Sequence, residues 1–244
     1  MIVENKTVLV TGSADRVGKS IAMKLAHRGA NIVIHYHTNK NKAIQTATEI
    51  QSLGVETALV QGDISLRDDW QRILSEIVKS LGGIDVLVNN AAIFYRTPFF
   101  ETTLEQWDDL MNVNLKSVFL GCQIIGRWMN DNGFGKIINI SDISSEIIWP
   151  DFLPYCISKA GIIALTKGLA KILAPNVLVN CIAPGTVLLA DNYDENMENA
   201  LVNRTPLKRI GSPEDVANTA LFLIEGSDFI TGEIIKVDGG RSLT

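Results

Sequence analysis

Short apolar runs alternate with longer amphipathic segments along the whole chain, and this alternation constrains the fold more than any other feature. Seven runs rich in Val and Ile have the composition of strands: TVLVTG, NIVIHY, VETALV, IDVLVN, KIINIS, VLVNCIA and EIIKVD. Several are apolar at consecutive positions, which is typical of strands covered on both faces. Because strands that alternate with helices form parallel sheets with right-handed crossovers, we predict a doubly wound α/β domain with a parallel seven-stranded sheet.

The amphipathic segments are predicted helices over 17–29, 40–53, 67–81, 103–129, 155–173 and 213–225. The stretch 186–212 follows neither pattern. A connection of that length is usually a lid or binding loop, and disorder is the alternative. Since no internal repeat, low-complexity tract or linker interrupts the 244 residues, we predict a single domain over 1–244 with a substrate lid at about 186–212.

Charge and cysteine content exclude several classes of function. The chain has 22 Lys and Arg against 27 Asp and Glu, so nucleic acid and anionic membrane, which bind basic surfaces, are poor partners. The three cysteines, Cys122, Cys156 and Cys181, lack the CxxC spacing and predict neither a disulfide framework nor a zinc site. Without a signal-peptide pattern or an apolar stretch of membrane-spanning length, we expect a cytoplasmic protein without a metal.

The first strand leads directly into TGSADRVGKSIA, a glycine-containing turn that opens a predicted helix. Glycine at such a turn lets the backbone approach a pyrophosphate, and the helix N-terminus stabilises the negative charge. Gly12 and Gly18 are the glycines of this turn. Its position after the first strand of an alternating chain favours a dinucleotide site and therefore a Rossmann-type fold.

The end of the second strand indicates which nicotinamide cofactor binds. An NAD-selective site carries Asp or Glu here, whereas this chain reads HYHTNK over 35–40, with no acid. Thr38, Asn39 and Lys40 offer hydrogen-bond donors, and Arg16 adds a permanent cation. We therefore predict NADP(H). The alternative for His35 and His37 is packing within the strand, because a metal site would need a third ligand.

Tyr155 and Lys159 are four residues apart at the start of a predicted helix, so their side chains lie on one face. An ammonium beside a phenol favours the phenolate and lowers a pKa that is ordinarily near 10. Such a phenol can transfer a proton at neutral pH. YxxxK alone is a common coincidence, but together with the dinucleotide turn, NNA at 89–91 and Pro184-Gly185 a coincidence becomes improbable.

With these motifs the chain resembles the short-chain dehydrogenase/reductase family over essentially its full length. The matching pieces are TGSADRVG, Asp63, NNA at 89–91, Asn114 in MNVNLKS, YCISK at 155–159 and APGTV at 183–187. The resemblance implies a homotetramer, and it implies that Asn114, either a helix-kink residue or the anchor of a proton-relay water, acts with Tyr155 and Lys159. The expected cofactor contacts are Gly12, Ser13, Arg16, Val17, Tyr36, His37, Thr38, Asn39, Asp63, Ile64, Asn90, Ala91, Ala92, Tyr155, Lys159, Pro184, Gly185, Thr186 and Val187.

In that family a serine normally lies thirteen residues before the tyrosine, whereas position 142 is Asp. Ser141 is one place off and should point to the opposite side of its strand. Asp142, Arg16 in place of the middle glycine, the HYH run, NNAAIFYRTP at 89–98 and the C-terminal KVDGGRSLT resemble pteridine reductases. This resemblance implies that Phe94 stacks on a pterin and that NADPH delivers hydride while Asp142 and Tyr155 handle protons. The expected substrate contacts are Arg16, Phe94, Asp142 and Tyr155.

The exchange of serine for aspartate has a chemical rationale, because a hydroxyl can donate to a ketone oxygen whereas a carboxylate mainly accepts from N–H groups. We therefore predict an NADPH-dependent reductase of a dihydropteridine, of the dihydrobiopterin, dihydromonapterin or dihydrofolate class. One alternative is a carbonyl reductase such as a 3-oxoacyl-carrier-protein reductase. Another is a redox sensor that binds NADP(H) without turnover, which would not need a tuned Tyr155.

Three side-chain sets also have plainer interpretations. Phe94 could be a core or lid aromatic, and Asp142 could be a structural cap or turn residue. The acidic residues of the predicted lid are interpreted as a solvated face: Asp191, Asp194, Glu195 and Glu198.

Overall fold

Seven parallel strands form the centre of the protein in the computed structural model, which describes residues 1–189 and 194–244. The strands are β1 (Thr7–Val10), β2 (Asn31–Tyr36), β3 (Thr57–Gln61), β4 (Val86–Asn89), β5 (Gly135–Ile140), β6 (Val177–Pro184) and β7 (Ile234–Val237). Their order is β3-β2-β1-β4-β5-β6-β7, and every neighbouring pair is parallel. The predicted doubly wound domain with a parallel seven-stranded sheet is confirmed.

Helices cover both faces of this sheet, as the consecutive apolar strand residues predict. The helices are α1 (Arg16–Ala26), α2 (Lys40–Gln51), α3 (Arg67–Leu81), α4 (Leu104–Met111), α5 (Ser117–Asp131), α6 (Leu153–Ile172), α7 (Glu195–Arg204) and α8 (Pro213–Glu225). Val8 and Val10 pack in one core cluster with α1, α2 and α8, whereas Leu9 packs in a second cluster with α3, α5 and α6. The burial of apolar surface on both sides is the main stabilising contribution to the fold.

The predicted helix over 103–129 is wrong in one respect, because a π-helical turn over Asn112–Lys116 separates α4 from α5. Within this turn the Asn114 amide nitrogen donates to the carbonyl oxygen of Ile93 at 3.0 Å, and its amide oxygen accepts from the Ile93 N–H at 2.8 Å. The side chain is therefore bonded to the segment after β4. Tertiary hydrogen bonds of this kind do not appear in the hydrophobic periodicity, so the sequence predicted one uninterrupted helix.

The stretch 186–212 was predicted as a connection, but it contains α7. Asp194 caps this helix by accepting from the Met197 N–H, and Glu195 and Glu198 lie in its first turn. No residue of α7 is buried, so the helix lacks the periodic apolar stripe that identifies an amphipathic helix in a sequence. Asp191, which we assigned to the same acidic face, lies outside the described residues.

Over the two described ranges, no helix has the length and apolar character needed to cross a membrane.

The chain adds β2 and β3 on one side of β1 and then continues with β4 on the other side, so the strand order reverses between β1 and β4. The turn after β1 therefore lies against the segment after β4. The approach is close at Gly18, where an added Cβ would lie 2.6 Å from the amide nitrogen of Asn90 and would overlap the carbonyl oxygen of Gly12. Gly12 itself has a φ of +64° and lies against Ala91. Only glycine fits both positions without moving the backbone.

We expect Gly18→Ala to lower the free energy of unfolding by about 1–3 kcal/mol, because the new methyl forces the turn and Asn90 apart. The matched control is Gly168→Ala in α6, where nothing lies within 4 Å of the added methyl. Alanine is favoured over glycine inside a helix by about 0.5–1 kcal/mol, so the control should be slightly more stable. Chemical denaturation measures both changes, and an equal response of the two variants would contradict the close approach at Gly18.

Candidate active site

A cavity of about 500 Å³ lies at the carboxyl ends of the strands, around the reversal of strand order. It brings together eighteen of the predicted residues: Gly12, Arg16, Val17, Tyr36, His37, Thr38, Asn39, Asn90, Ala91, Ala92, Phe94, Asp142, Tyr155, Lys159, Pro184, Gly185, Thr186 and Val187. Gly18, the second glycine of the predicted turn, also lines the cavity, together with six residues that were not expected there: Ala14, Asp15, Ile140, Ser141, Trp149 and Leu188.

Four of the predicted residues do not line this cavity: Ser13, Asp63, Ile64 and Asn114. Ser13 is fully buried, and its hydroxyl donates to the Val10 carbonyl and accepts from a backbone N–H of β2. Asp63 accepts from the N–H of Ser65, while Ile64 is buried in the second core cluster. These contacts support the strand ends, and the cofactor contacts assigned to the three residues Ser13, Asp63 and Ile64 stay predictions.

The glycine turn is supported from beneath by His35, a buried residue of β2. His35 Nδ1 accepts from the Gly12 N–H at 3.2 Å, so the ring proton is on Nε2, which lies 3.1 Å from the Gly62 carbonyl oxygen. Burial lowers the pKa of His35 to about 4. The packing interpretation of His35 is therefore the one that the structure supports. Throughout 1–189 and 194–244, no group of three or more His, Cys, Asp or Glu side chains could hold a metal ion.

The turn and the start of α1 fit a dinucleotide. Gly12 has a positive φ, and Gly18 has no space for a side chain, so the backbone of the turn lies directly at the cavity. The first residues of α1 also line the cavity, where backbone N–H groups can bind a pyrophosphate. Arg16 occupies the first position of α1 with a φ of +54°, which is unfavourable for a residue with a side chain. No hydrogen bond or ion pair engages its guanidinium within the part of the chain that the structure describes.

An acidic residue of the glycine turn, Asp15, does line the cavity, although it is not at the end of β2, where an NAD-selective site carries one. Asp15 caps α1 by accepting from the Arg16 N–H at 2.8 Å, and it forms an ion pair with Lys42 of α2. The hydrogen bond from Lys42 is the main reason that the pKa of Asp15 is below its usual value. This pair neutralises the carboxylate. An acid in the turn and a base five residues after the HYH run are visible in the sequence, but their proximity is not.

At the other end of the cavity, the Tyr155 hydroxyl donates to Asp142 Oδ2 at 3.1 Å. The other carboxylate oxygen of Asp142 accepts from the Ser144 N–H at 2.7 Å. Asp142 is therefore both a cap of the turn after β5 and a direct partner of Tyr155. The Ser141 hydroxyl instead donates to the Lys159 carbonyl at 2.8 Å, so Ser141 does not replace the family serine.

The pKa expected for Tyr155 was wrong in direction. Burial, followed by the charge of Asp142, raises the pKa of Tyr155 well above 10. Lys159 Nζ lies 5.6 Å from the centroid of the Tyr155 ring and donates to the carbonyl oxygen of Ile140 at 3.0 Å. Burial lowers the pKa of Lys159 and raises that of Asp142. The Tyr155 hydroxyl therefore holds its proton at neutral pH and can act as a general acid.

Aromatic rings form one wall next to this acid pair. Phe94 is 46% exposed, stacks on Phe152 with ring centroids 4.6 Å apart, and contacts the Tyr155 ring edge-on at 4.8 Å. Trp149 lies parallel to the Tyr155 ring at 6.4 Å. Trp149 and Phe152 were not expected at the site, although the run WPDF immediately before α6 was a visible signal. One face of Phe94 is thus backed by protein, as a binding surface for a flat ring requires.

Comparisons with known proteins agree with this architecture. A family model described as enoyl-(acyl carrier protein) reductase matches residues 12–242. The 3-oxoacyl-[acyl-carrier-protein] reductase FabG of Staphylococcus epidermidis is 36% identical over 240 residues, covering 97% of this chain and 98% of that protein. The chain belongs to the short-chain dehydrogenase/reductase family.

Other members of this family are similarly related. The 3beta-hydroxysteroid dehydrogenase 1 of Eggerthella lenta is 36% identical over 247 residues, covering 98% of this chain and 95% of that protein. A crystal structure from Sinorhizobium meliloti, provisionally assigned as a short-chain alcohol dehydrogenase, superposes with a TM-score of 0.94 at 31% identity and full coverage of both chains. Membership makes this protein an oxidoreductase that acts on a small molecule with a nicotinamide cofactor.

In this short-chain dehydrogenase/reductase, Asn114 is fully buried behind the cavity. Besides its two bonds to Ile93, its amide lies 3.3 Å from the Ser158 hydroxyl, next to Lys159 in α6. The helix-kink interpretation agrees with the π-helical turn that contains it. The proton-relay role stays a prediction.

We expect the stability of this reductase to depend on the titration of His35. Its pKa of about 4 in the folded state is below the usual 6.5, so its contribution is complete above pH 6.5 and is lost as the pH falls towards 4. The loss should approach about 3 kcal/mol. In His35→Asn, the amide oxygen can accept from Gly12 without titrating, so its free energy of unfolding should fall less over this range. The measurement is the free energy of unfolding of both proteins, taken from denaturation curves at several pH values. An equal fall of this free energy with pH in the two proteins would contradict the assignment.

Proposed function

We propose that the protein is an NADPH-dependent reductase of a dihydropteridine, of the dihydrobiopterin, dihydromonapterin or dihydrofolate class. The observation that carries the proposal is the hydrogen bond between Tyr155 and Asp142 beside the aromatic wall of Phe94 and Trp149. A carboxylate accepts from the N–H groups of an aminopyrimidine, and the flat ring of a pterin fits against aromatic side chains. The bound cofactor would supply a hydride.

Reduction of a C=N bond adds the hydride to carbon and a proton to nitrogen. Tyr155 carries a proton because its pKa is raised, and Asp142 is easier to protonate than a solvated carboxylate because burial raises its pKa. Their shared hydrogen bond lets one group replace the proton that the other has given up. The aromatic wall orients the ring and limits the access of water to this pair.

The preference for NADPH is part of the proposal. Tyr36, His37, Thr38 and Asn39 line the adenosine end, so no carboxylate at the end of β2 repels a 2′-phosphate. Asp15 is neutralised by its ion pair with Lys42. The proposal also includes a homotetramer, as the resemblance to the short-chain dehydrogenase/reductase family implies, and the cytoplasmic location expected from the sequence.

The second candidate is an NADPH-dependent 3-oxoacyl-carrier-protein reductase, and it is the one that the named relatives favour. FabG proteins of Staphylococcus epidermidis and Staphylococcus aureus are 36% and 35% identical to this chain over nearly its whole length. A protonated Tyr155 can also donate to a ketone oxygen. Asp142 argues against this candidate, because its carboxyl group takes the place of the serine hydroxyl that donates to a ketone oxygen and, when ionised, repels the alkoxide that develops during ketone reduction. A sensor without turnover is the weakest candidate, since it has no need of the Tyr155–Asp142 acid pair.

We expect Asp142→Ser to lower pterin turnover while any reduction of a ketone survives or rises, because serine donates to a carbonyl oxygen but holds no transferable proton for a ring nitrogen. NADPH oxidation followed with dihydrobiopterin, dihydrofolate and a β-ketoacyl thioester side by side is the measurement. The loss should be about 10²–10⁴-fold. In the wild-type protein, activity should decline as rising pH ionises Asp142. Asp142→Asn keeps the shape of the side chain but cannot ionise, so its remaining activity should not show this decline. Unaffected pterin turnover with loss of ketone reduction would instead support the second candidate.

We expect Arg16→Gly to weaken NADPH binding more than NADH binding, because Arg16 lines the same cavity as Thr38 and Asn39, where the 2′-phosphate would lie. Loss of a charge-assisted hydrogen bond should change the ratio of the two dissociation constants by about tenfold, or ~1.5 kcal/mol. Glycine adopts the φ of +54° freely, so the fold should be retained. Arg16→Lys, which keeps the charge, is the matched control. Calorimetric titrations in which both cofactors weaken equally would contradict the role of Arg16.

A further inference from the structure

Two chain segments carry the aromatic wall. Phe94 contacts Trp149 edge-on at 6.2 Å, and three further interactions join the segments. Phe94 lies in the segment after β4, whereas Trp149 and Phe152 lie in the segment that leads into α6. The first interaction is the stacking of Phe94 on Phe152, with ring planes 7° apart. The second is a backbone hydrogen bond of 2.7 Å from the Thr97 N–H to the Asp151 carbonyl, in a parallel bridge between Thr97 and Phe152.

The third interaction is an ion pair between the same two segments. Arg96 donates to Asp151 Oδ2 from both Nε at 3.1 Å and Nη2 at 2.8 Å. Both side chains are largely exposed, so the pair contributes little to global stability by itself. Its position is what matters, because it lies next to the Thr97 hydrogen bond and one residue from Phe152. It restrains the separation of the segments that hold the wall.

The remaining contacts of these segments extend this restraint to Tyr155. The Phe152 N–H donates to the Trp149 carbonyl at 2.9 Å, and Phe152 accepts from the Cys156 N–H in the first turn of α6. Tyr95, between Phe94 and Arg96, directs its hydroxyl to the Gln106 carbonyl in α4 at 3.1 Å. The segment after β4 is thus held to α4 on one side and to the start of α6 on the other.

We propose that Arg96 and Asp151 are positioning residues of the substrate end, whose ion pair clasps the two segments and so sets the spacing of Phe94 and Trp149 around the substrate ring. The proposal rests on the proposed function only for the identity of that ring. We call this Arg96–Asp151 ion pair the clasp. Its loss should weaken binding of the substrate that is reduced. It should leave the glycine turn, and hence the binding of the cofactor, unaffected. Neither residue touches the reacting atoms.

The test compares Arg96→Ala, Asp151→Ala and the double variant in steady-state kinetics with NADPH and whichever probe is reduced, dihydrobiopterin or a β-ketoacyl thioester. We expect KM for the probe to rise about two- to five-fold, the range for loss of an exposed ion pair, with a smaller change in kcat and an unchanged dissociation constant for NADPH. The double variant should be no worse than either single one, because the two residues act as a pair. Arg96→Lys should restore part of the effect.

The matched control is Arg127→Ala in α5, which removes another largely exposed ion pair, Arg127–Asp131 at 2.8 Å, within a helix outside both segments of the aromatic wall. It should leave every parameter unchanged. Amide hydrogen exchange, measured without a probe, should be faster at Thr97 in Arg96→Ala and Asp151→Ala but not in the control. Faster exchange with an unchanged KM would mean that the clasp is structural only and would overturn the proposal.

A failure of the proposed function is distinguishable from a failure of the clasp. If neither probe is reduced by the wild-type protein, the assigned substrate is wrong. The clasp is then judged by Thr97 exchange together with the near-ultraviolet circular dichroism of the aromatic wall. The exchange rate and the dichroism spectrum should both change in the Arg96 and Asp151 variants, and neither should change in Arg127→Ala. An unchanged dichroism spectrum overturns the proposal.

Discussion

Burial of a parallel sheet on both faces is the constraint on which the rest of this structure depends. Because helices must cover both sides, the strands are apolar at successive positions, as the fully buried β1, β4 and β6 illustrate. Polar side chains that serve a ligand can then be placed only where strands end. The reversal of order between β1 and β4 opens a space at those ends, and the cavity lies there.

The same burial determines the chemistry at the catalytic end. Tyr155 is buried and Asp142 is half-buried at the edge of the cavity, and burial raises the pKa of each. Lys159 is buried as well, but its ammonium donates to the Ile140 carbonyl and lies over the ring rather than at the phenolic oxygen. Tyr155 is therefore a proton donor with a carboxyl partner, which suits delivery of a proton to nitrogen.

Much of the site could be predicted from spacing along the chain. Asp142 lies thirteen residues before Tyr155, at the position that the family resemblance assigns to the partner of the tyrosine, and their direct hydrogen bond agrees with that register. The direction of the Tyr155 pKa could not be predicted, because it depends on how deeply the phenol is buried and on which neighbour reaches it. Likewise, the bonds of Asn114 to Ile93, which accompany the π-helical turn, join residues twenty-one positions apart. Periodicity describes only one element at a time.

The sequence by itself determined the layered α/β fold and the position of the glycine turn, because these follow from local patterns, whereas the pairing of Asp142 with Tyr155 was expected only from the family resemblance. Only the tertiary structure decided which side chains from separate segments meet. The support of Gly12 by His35, the neutralisation of Asp15 by Lys42, and the backing of Phe94 by Phe152 all join residues from different segments. The three contacts share one physical reason. The distances between such groups, and the exclusion of water around them, are set when the helices pack on the sheet.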